Sequence, residues 1–487
     1  MSALNIPSVE RVDEKIGDAI ERVTRAHHRR RLTRLGWARS LDPPADGLWC
    51  AGDPPPRQGN AIEILVDGAQ ALPLIAAELA GAQSHVHVAG WHVQAGFSLG
   101  HEPGSPTVRG LLAELAERMP VRVLVWAGAP LPVFKPTRRQ VREGREELCR
   151  GTRIECVLDR HERLAHCHHE KLVIIDDRVA FVGGIDLTGL GGDRYDENDH
   201  PYRSSLGWHD EAVCIRGPAV ADVAEHFRCR WQEVAHESLP PPVAPEAAGE
   251  VELQLVRTVP ERAYAFARQG EFRILEAYTR ALRSAERLVY LENQFLWAPE
   301  VVSILTEKLR RPPSPDFRLV ILLPARANNG ADDTKGQLGV LSEADGAGGR
   351  LLACTLYARD AAAGRSEPVY VHAKIGIVDD RWMTLGSANL NAHSLFNDSE
   401  VNIVTQDRDL VVDVRRRLWA EHLEVAADAV AGDPTAVIDG LWRPIATESR
   451  RQSDAGATPT HRLTTLPGVS RRSMRLLGPL QGLMVDG

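Results

Sequence analysis

One ten-residue pattern occurs twice in this chain. His169-Glu170-Lys171-Leu172-Val173-Ile174-Ile175-Asp176-Asp177-Arg178 returns as His372-Ala373-Lys374-Ile375-Gly376-Ile377-Val378-Asp379-Asp380-Arg381. Gly183 and Asp186 after the first copy correspond to Gly386 and Asn389 after the second, and every pair is 203 residues apart with no insertion. A constant offset through polar and apolar positions alike identifies a duplicated unit, which constrains the fold before any local signal does. Each copy is His-x-Lys-x4-Asp running through an apolar stretch. Alternate side chains of a strand share a face, so His169 and Lys171 point the same way, as do His372 and Lys374. An imidazole and an ammonium side by side in an apolar strand are costly unless something anionic sits opposite. Two such strands, one from each half, can meet across a pseudo-twofold interface and supply two imidazoles and two ammoniums to one anion pocket.

The remaining sequence divides around this repeat. Residues 1–58 read as an N-terminal helical arm, basic in AHHRRRLTRLG, and a linker broken by PPADG and GDPPPRQGN. Residues 59–237 form a first half, with strands expected over 62–66, 85–89 and 121–126 and helices over 69–82 and 108–118. The Pro-rich stretch 238–250 is a linker. Residues 251–428 form a second half, with helices expected over 261–284 and 301–309 and strands in LVYLEN and FRLVILLP; residues 429–487 are left as a C-terminal tail. Alternating strands and helices predict an α/β fold of two pseudo-twofold-related domains, each a mixed, mostly parallel sheet flanked by helices.

Composition narrows the class. A chain that is 43% hydrophobic and 25% charged is not disordered. No stretch approaches the roughly 18 apolar residues of a membrane span, and the acidic start lacks the features of a signal peptide. Seven scattered cysteines without paired CxxC spacing read as reduced thiols of a cytosolic protein. A net charge of −8 speaks against a protein that coats nucleic acid. The expectation is a cytoplasmic protein, active as a monomer and able to work peripherally at a membrane.

Two imidazoles with different tasks match phosphodiester cleavage. A neutral His attacks phosphorus and forms a phosphohistidine; a protonated one gives its proton to the leaving alcohol and later takes one from the acceptor. The lysines neutralise charge that develops on the non-bridging oxygens. No metal is required by this scheme.

These residues resemble the phospholipase D superfamily, defined by two HxKxxxxD motifs. Residues 183–201 and WHDEAVCIRGPAVADVAEHFRCRW at 208–231 are similar to the segments that follow the first motif in the larger phospholipases D. YLENQFLW at 290–297, GSANLNAHSLFNDSEVNIV at 386–404 and LWAEHL at 418–423 continue the resemblance, which covers about residues 60–425. It implies hydrolysis of a phospholipid at a membrane surface to phosphatidate and an alcohol, with water or a primary alcohol as acceptor. Transfer to an alcohol would be transphosphatidylation.

The same resemblance implies site residues. His169 would be the nucleophile and His372 the general acid, with Lys171 and Lys374 on the phosphate. Asp210 would orient His372 and Glu400 would orient His169, each acid coming from the opposite half; Glu211 is the alternative to Asp210. Asp186, Asn389, Gly184, Ser387, Asn293 and Gln294 would line the substrate pocket, and Asp176 and Asp379 would act structurally at strand ends. An acid at 186 must be protonated, turned away or paired with a cation; calcium enters only through it, and no cofactor is otherwise required. His393 stands where relatives commonly have Arg.

Rival readings are a cardiolipin or phosphatidylserine synthase, disfavoured by the lack of N-terminal membrane helices, a family nuclease, and a noncatalytic scaffold. Blander alternatives attach to single motifs: a zinc site at His166-Cys167-His168-His169, a solvated or membrane-facing RRRLTR helix face, and a docked or disordered SRRSMRLLGPLQGLMV tail.

Overall fold

The computed structural model describes residues 6–130, 135–162, 166–192, 199–202, 206–327 and 331–467. The tail motif at 470–485 and part of the 183–201 segment lie outside them. In chain order the elements are α1 (Ile6–Leu35), β1 (Arg57–Val66), α2 (Gly68–Ala80), β2 (Val86–Gly90), α3 (Val108–Ala116), β3 (Val121–Trp126), α4 (Arg138–Cys149) and β4 (Glu155–Asp159). There follow β5 (Leu172–Ile175), β6 (Val179–Gly183), β7 (Trp208–His209), β8 (Glu211–Arg216) and α5 (Val220–Ala235). The second half runs β9 (Val251–Val259), β10 (Glu271–Phe272), α6 (Arg273–Ser284), β11 (Leu288–Asn293), α7 (Pro299–Arg310), β12 (Arg318–Leu322), α8 (Ala331–Asp345) and β13 (Leu351–Asp360). It continues with β14 (Arg365–Pro368), β15 (Tyr370–Val371), β16 (Lys374–Val378), β17 (Trp382–Gly386), α9 (Ala392–Phe396), β18 (Glu400–Thr405) and α10 (Arg408–Leu423). After these come α11 (Pro434–Val437), α12 (Arg443–Asp454) and β19 (Leu463–Thr465).

The repeat is visible in the strand pairing. The first sheet runs β4-β3-β2-β5-β6-β8-β1, parallel through β2 and antiparallel from there on. The second runs β13-β12-β11-β16-β17-β18-β9 with the same sequence of directions. Even the register carries over: Val86 faces Ile175 as Val289 faces Val378, and Leu172 faces Val182 as Ile375 faces Leu385, each pair shifted by 203 residues. The fold is α/β with mixed sheets flanked by helices, but antiparallel pairs outnumber parallel ones where mostly parallel sheets were expected. The motif strand doubles back through the tight turn at Asp176 and Asp177, both at positive φ, as does its copy at Asp379 and Asp380, and a hairpin can only pair antiparallel.

β1 and β9, the last strands of the two sheets, pair with each other. The inner faces of both sheets then share one core: Val66, Ile174 and Val213 from the first, and Leu255, Ile375 and Ile403 from the second. Phe227 and Trp231 of α5 and Leu418 and Trp419 of α10 fill it. On the outer faces α2 and α3 cover the first sheet, and α6 and α7 the second.

Three segments differ from expectation. The helix expected from 261 begins at Arg273; Gly270 adopts φ +74°, and Tyr264 is drawn into a buried hydrogen-bonded group with Arg230 and Asp159. Residues 429–467 are not a free tail, since Trp442 packs in the shared core and β19 adds a strand beside β13. The N-terminal arm docks on the second half. Arg31, inside the basic run, is buried and paired with Glu261 while its guanidinium also donates to the Phe396 carbonyl, and His28 meets Glu300 at 2.9 Å.

The motif aspartates show why the pattern ends in Asp. Asp176 accepts backbone N–H groups of Gln83, Ser84 and His85, and Asp379 accepts those of Glu286, Arg287 and Leu288. Each carboxylate ties the motif hairpin to the start of the neighbouring strand, and charge-assisted bonds of this kind are stronger than neutral ones. Replacing either Asp by Ala is expected to lower stability by about 1–3 kcal/mol, to a similar extent at both positions, in chemical denaturation. A loss at one site alone would contradict their equivalence.

Candidate active site

The two motif histidines are positioned by strand segments that cross between the halves. His168 forms a parallel bridge with Ser399, and the His169 N–H donates to the Ser399 carbonyl at 3.0 Å. Reciprocally, β15 pairs in parallel with β7, and the His372 N–H donates to the His209 carbonyl at 2.7 Å. In both cases the next residue of the opposite segment is an acid. Glu400 Oε1 therefore lies 3.0 Å from His169 Nδ1, and Asp210 Oδ2 lies 2.7 Å from His372 Nδ1. All four side chains are buried. An acid side chain that accepts the Nδ1 proton fixes the tautomer and directs Nε2 to whatever chemistry the ring performs.

The acids are supported differently. Ser387 and Ser394 donate their hydroxyls to the two oxygens of Glu400, each at 2.5 Å. Burial pushes the Glu400 carboxyl up to about 8, against the opposing pull of Lys171, the two serines and Lys374. Asp210 is one methylene shorter and sits where residue 184 has no side chain: a Cβ on Gly184 would lie 2.0 Å from Asp210 Oδ1. Gly184 and Ser387, expected in the substrate pocket, are thus spent on the acids. Glu211, the alternative to Asp210, turns the other way, 3.5 Å from His209 Nε2.

The lysines also have unlike partners. Lys171 Nζ donates to the His169 carbonyl at 2.6 Å and pairs with Asp186 Oδ2 at 3.3 Å, so Asp186 is paired with a cation already on the chain. Lys374 donates to the His372 carbonyl and to Gln294 Oε1 at 3.4 Å, and Asn389 Nδ2 reaches the same oxygen at 3.3 Å. Lys171 and Asp186 thus form one group and Lys374, Asn389 and Gln294 another, and both lysines pull on the Glu400 carboxyl. Gln294 is itself held by Tyr370, its amide donating to the hydroxyl at 2.9 Å. Asn293 is not a wall of that group in the same sense: its carbonyl oxygen accepts the backbone N–H groups of Phe295 and Leu390 and so ties two loops together.

The run His166–His169 is split rather than gathered. Cys167 packs with Trp91 and Trp126, His168 turns to Glu170, His169 goes to Glu400, and His166 lies 3.8 Å from Asp398. His393 lies beside His166 and Trp297, in ring contact with both. Sequence reasoning missed Ser394, the Trp208 ring packed 4.5 Å from that of His372, and Asp67. Trp208 lay inside a quoted motif without a role; Asp67 carried no signal beyond an Asp-Gly pair.

Residues 279–421 match the family model described as "Cardiolipin synthase, PLD-like domain". Phospholipase D A of Dictyostelium discoideum is 26% identical over 62% of this chain and 30% of its own length, and cardiolipin synthase A of Pseudomonas fluorescens is 28% identical over 64% and 54%. These matches support membership of the phospholipase D superfamily. It spans about a third to a half of the length of these curated relatives. A phosphatidylserine synthase structure from Haemophilus influenzae aligns over 74% of this chain and 86% of its own, with 14% identity and a TM-score of 0.48. Among the described residues no helix is long and apolar enough to cross a membrane.

The Glu400 environment makes a pH prediction. Its carboxyl keeps its proton in the fold up to about pH 8, whereas the unfolded chain releases it near 4.5. A folded value above the unfolded one gives a contribution that is complete at low pH and falls as pH rises between the two. Glu400→Gln, which keeps the shape without an ionisable group, is expected to lose less thermal stability than the parent between about pH 5 and 8. Equal losses would show that Glu400 is ionised in the fold.

Proposed function

We propose that the chain is a phospholipase D-type phosphodiesterase that hydrolyses phospholipids to phosphatidate and an alcohol through a phosphohistidine. The observation that carries this reading is the reciprocal pair of imidazoles, each held at Nδ1 by an acid of the opposite half. His169 Nε2 attacks phosphorus, the bond to the leaving alkoxide breaks, and His372 donates its Nε2 proton to that oxygen. In the second step His372 takes a proton from water, the resulting oxygen nucleophile displaces His169 from phosphorus, and both rings return to their starting forms.

The unequal support of the two acids favours this division of labour. A Glu400 that keeps its proton near neutral pH does not require His169 to be cationic, which suits a nucleophile. Asp210 Oδ1 accepts the Glu211 N–H at 2.9 Å, a donor that suits a carboxylate and hence an imidazolium at His372. Lys171, Lys374 and Asn389 supply donors to the non-bridging oxygens, the electrostatic contribution on which such reactions lean most.

A second reading is phosphatidyl transfer to an alcohol acceptor, favoured by the cardiolipin synthase description of the matched family model and by the cardiolipin synthases among the relatives. It uses the same two steps with an alcohol in place of water. On either reading the protein works on lipid without a membrane-spanning helix among the described residues, as a peripheral protein.

Phosphatidylcholine vesicles, with and without a primary alcohol, and bis-p-nitrophenyl phosphate separate the possibilities. Choline release is expected, with phosphatidyl alcohol appearing when the alcohol is present. His169→Asn should abolish a trapped phosphoenzyme, and His372→Asn should slow turnover by about 10²-fold or more while still accumulating label from an activated ester. Cleavage of the surrogate without lipid would favour a nuclease; label on His372 in the His169 variant would reverse the roles.

A further inference from the structure

The two imidazole–acid pairs occupy equivalent positions, and the backbone of one of the acids, Asp210, is gripped by a residue of a buried charged network. Asp67, the residue after β1, has φ 64° and ψ 161°, a region that is essentially open to glycine alone and costs other residues about 1–3 kcal/mol. Its N–H donates to the Asp210 carbonyl at 2.8 Å, and its Oδ1 accepts the Asp210 N–H at 3.1 Å. The acid that faces His372 is thus bracketed on both sides of its own backbone by one residue. In the second half the residue opposite Glu400 is Thr258, an ordinary ladder position.

Asp67 is itself held. His209 Nδ1 lies 3.0 Å from Asp67 Oδ1, and His209 Nε2 lies 2.8 Å from Glu292 Oε2. Burial alone would discourage a proton on His209, but Asp67 and Glu292 raise its pKa well above the ordinary value. Glu292 in turn faces His422 at 3.2 Å and accepts the Tyr290 hydroxyl at 2.5 Å. Burial opposes its charge, and the His422 and His209 imidazoles outweigh that and hold its carboxyl below the ordinary range. Two further groups face this chain: Glu211, which burial raises well above the ordinary carboxyl value, and the His200–Glu421 pair, with His200 3.7 Å from Asp67 Oδ2. The network therefore runs from α10 and β11 of the second half through β7 to the end of β1. His209 also supplies the carbonyl that receives the His372 N–H, so one residue contacts both the general acid's backbone and the bracket of its partner.

We propose that Asp67, held by His209 between two carboxylates, is the positioning residue that fixes Asp210 against His372. A strained backbone is retained where the side chain it carries has no other way to reach both bonding partners. This inference rests on the reading of His372 as general acid, and it names a residue that acts through Asp210 without touching substrate. It also gives the His-Asp and Glu-Asn-Gln segments a common purpose: His209 and Glu292 are the two central links of the network.

The test compares Asp67→Gly, which relieves the backbone strain and removes the carboxylate, with Asp67→Asn, which keeps an acceptor for the Asp210 N–H but no charge for His209. Histidine-labelled protein is titrated by NMR, with His372 and His169 assigned from their Asn variants. In Asp67→Gly the His372 pKa is expected to fall by about one unit, with a smaller fall in Asp67→Asn and His169 unmoved. Turnover of a soluble short-chain phosphatidylcholine should fall by about 10- to 100-fold in kcat, with KM nearly constant and the alkaline limb of the pH profile moved to lower pH. Wild-type His372 titration in both variants, with only the melting temperature altered, would make Asp67 merely structural and overturn the proposal. If the parent protein does not cleave the lipid, the general-acid reading fails, and the NMR titration still decides whether Asp67 positions the Asp210–His372 pair.

Discussion

The structure depends on two reciprocal contacts between an imidazole and an acid across the middle of the chain. His169 finds its acid at Glu400 and His372 finds its acid at Asp210, at 3.0 and 2.7 Å. Neither half can complete an imidazole–acid pair alone, because the acid that meets each ring follows a segment of the other half. Buried carboxylates and imidazoles are tolerated only when paired, so the two halves are bound to dock in one register. The shared core between the sheets supplies apolar burial, and the polar contacts specify which residues face each other.

The duplication explains the frame and its asymmetries explain the chemistry. Motif aspartates, strand order and register repeat at a fixed offset, which yields two equal platforms. What differs is what surrounds each platform. The first lysine pairs with Asp186 beside Gly90, whose missing side chain leaves a Cβ position 3.0 Å from the Asp186 carboxylate; the second faces Gln294 and Asn389. One acid is held by two serine hydroxyls and the other by backbone bonds to a strained aspartate. Two copies of one unit therefore surround their imidazoles differently, and it is on this difference that the proposed division into nucleophile and acid rests.

Much of this was legible in the sequence, and for identifiable reasons. Strand periodicity and the constant offset of 203 residues revealed both platforms, and the family resemblance named Asp210 and Glu400, which lie 2.7 Å from His372 Nδ1 and 3.0 Å from His169 Nδ1. The rest depended on contacts between residues far apart in the chain, which leave no local period. Gly184 and Ser387 read as pocket residues because they follow the motifs, but only the approach of Asp210 and Glu400 shows that Gly184 leaves room for one acid and Ser387 donates its hydroxyl to the other. The helix expected from residue 261 is shortened because Tyr264 is drawn into a group with Arg230 and Asp159. Residues 429–467 carried no pattern that distinguishes a tail from the edge strand and core tryptophan that they provide, and the strained conformation of Asp67 is invisible in an Asp-Gly pair.

The central claim is that both imidazoles serve one phosphorus atom. A crystal structure of the protein soaked with tungstate, a stand-in for the phosphoryl group, tests it most directly. A single tungstate contacting the Nε2 atoms of both His169 and His372, with Lys171 and Lys374 on its oxygens, is the predicted result. Two separate ions, or one bound to a single ring with the other ring out of reach, would contradict the account.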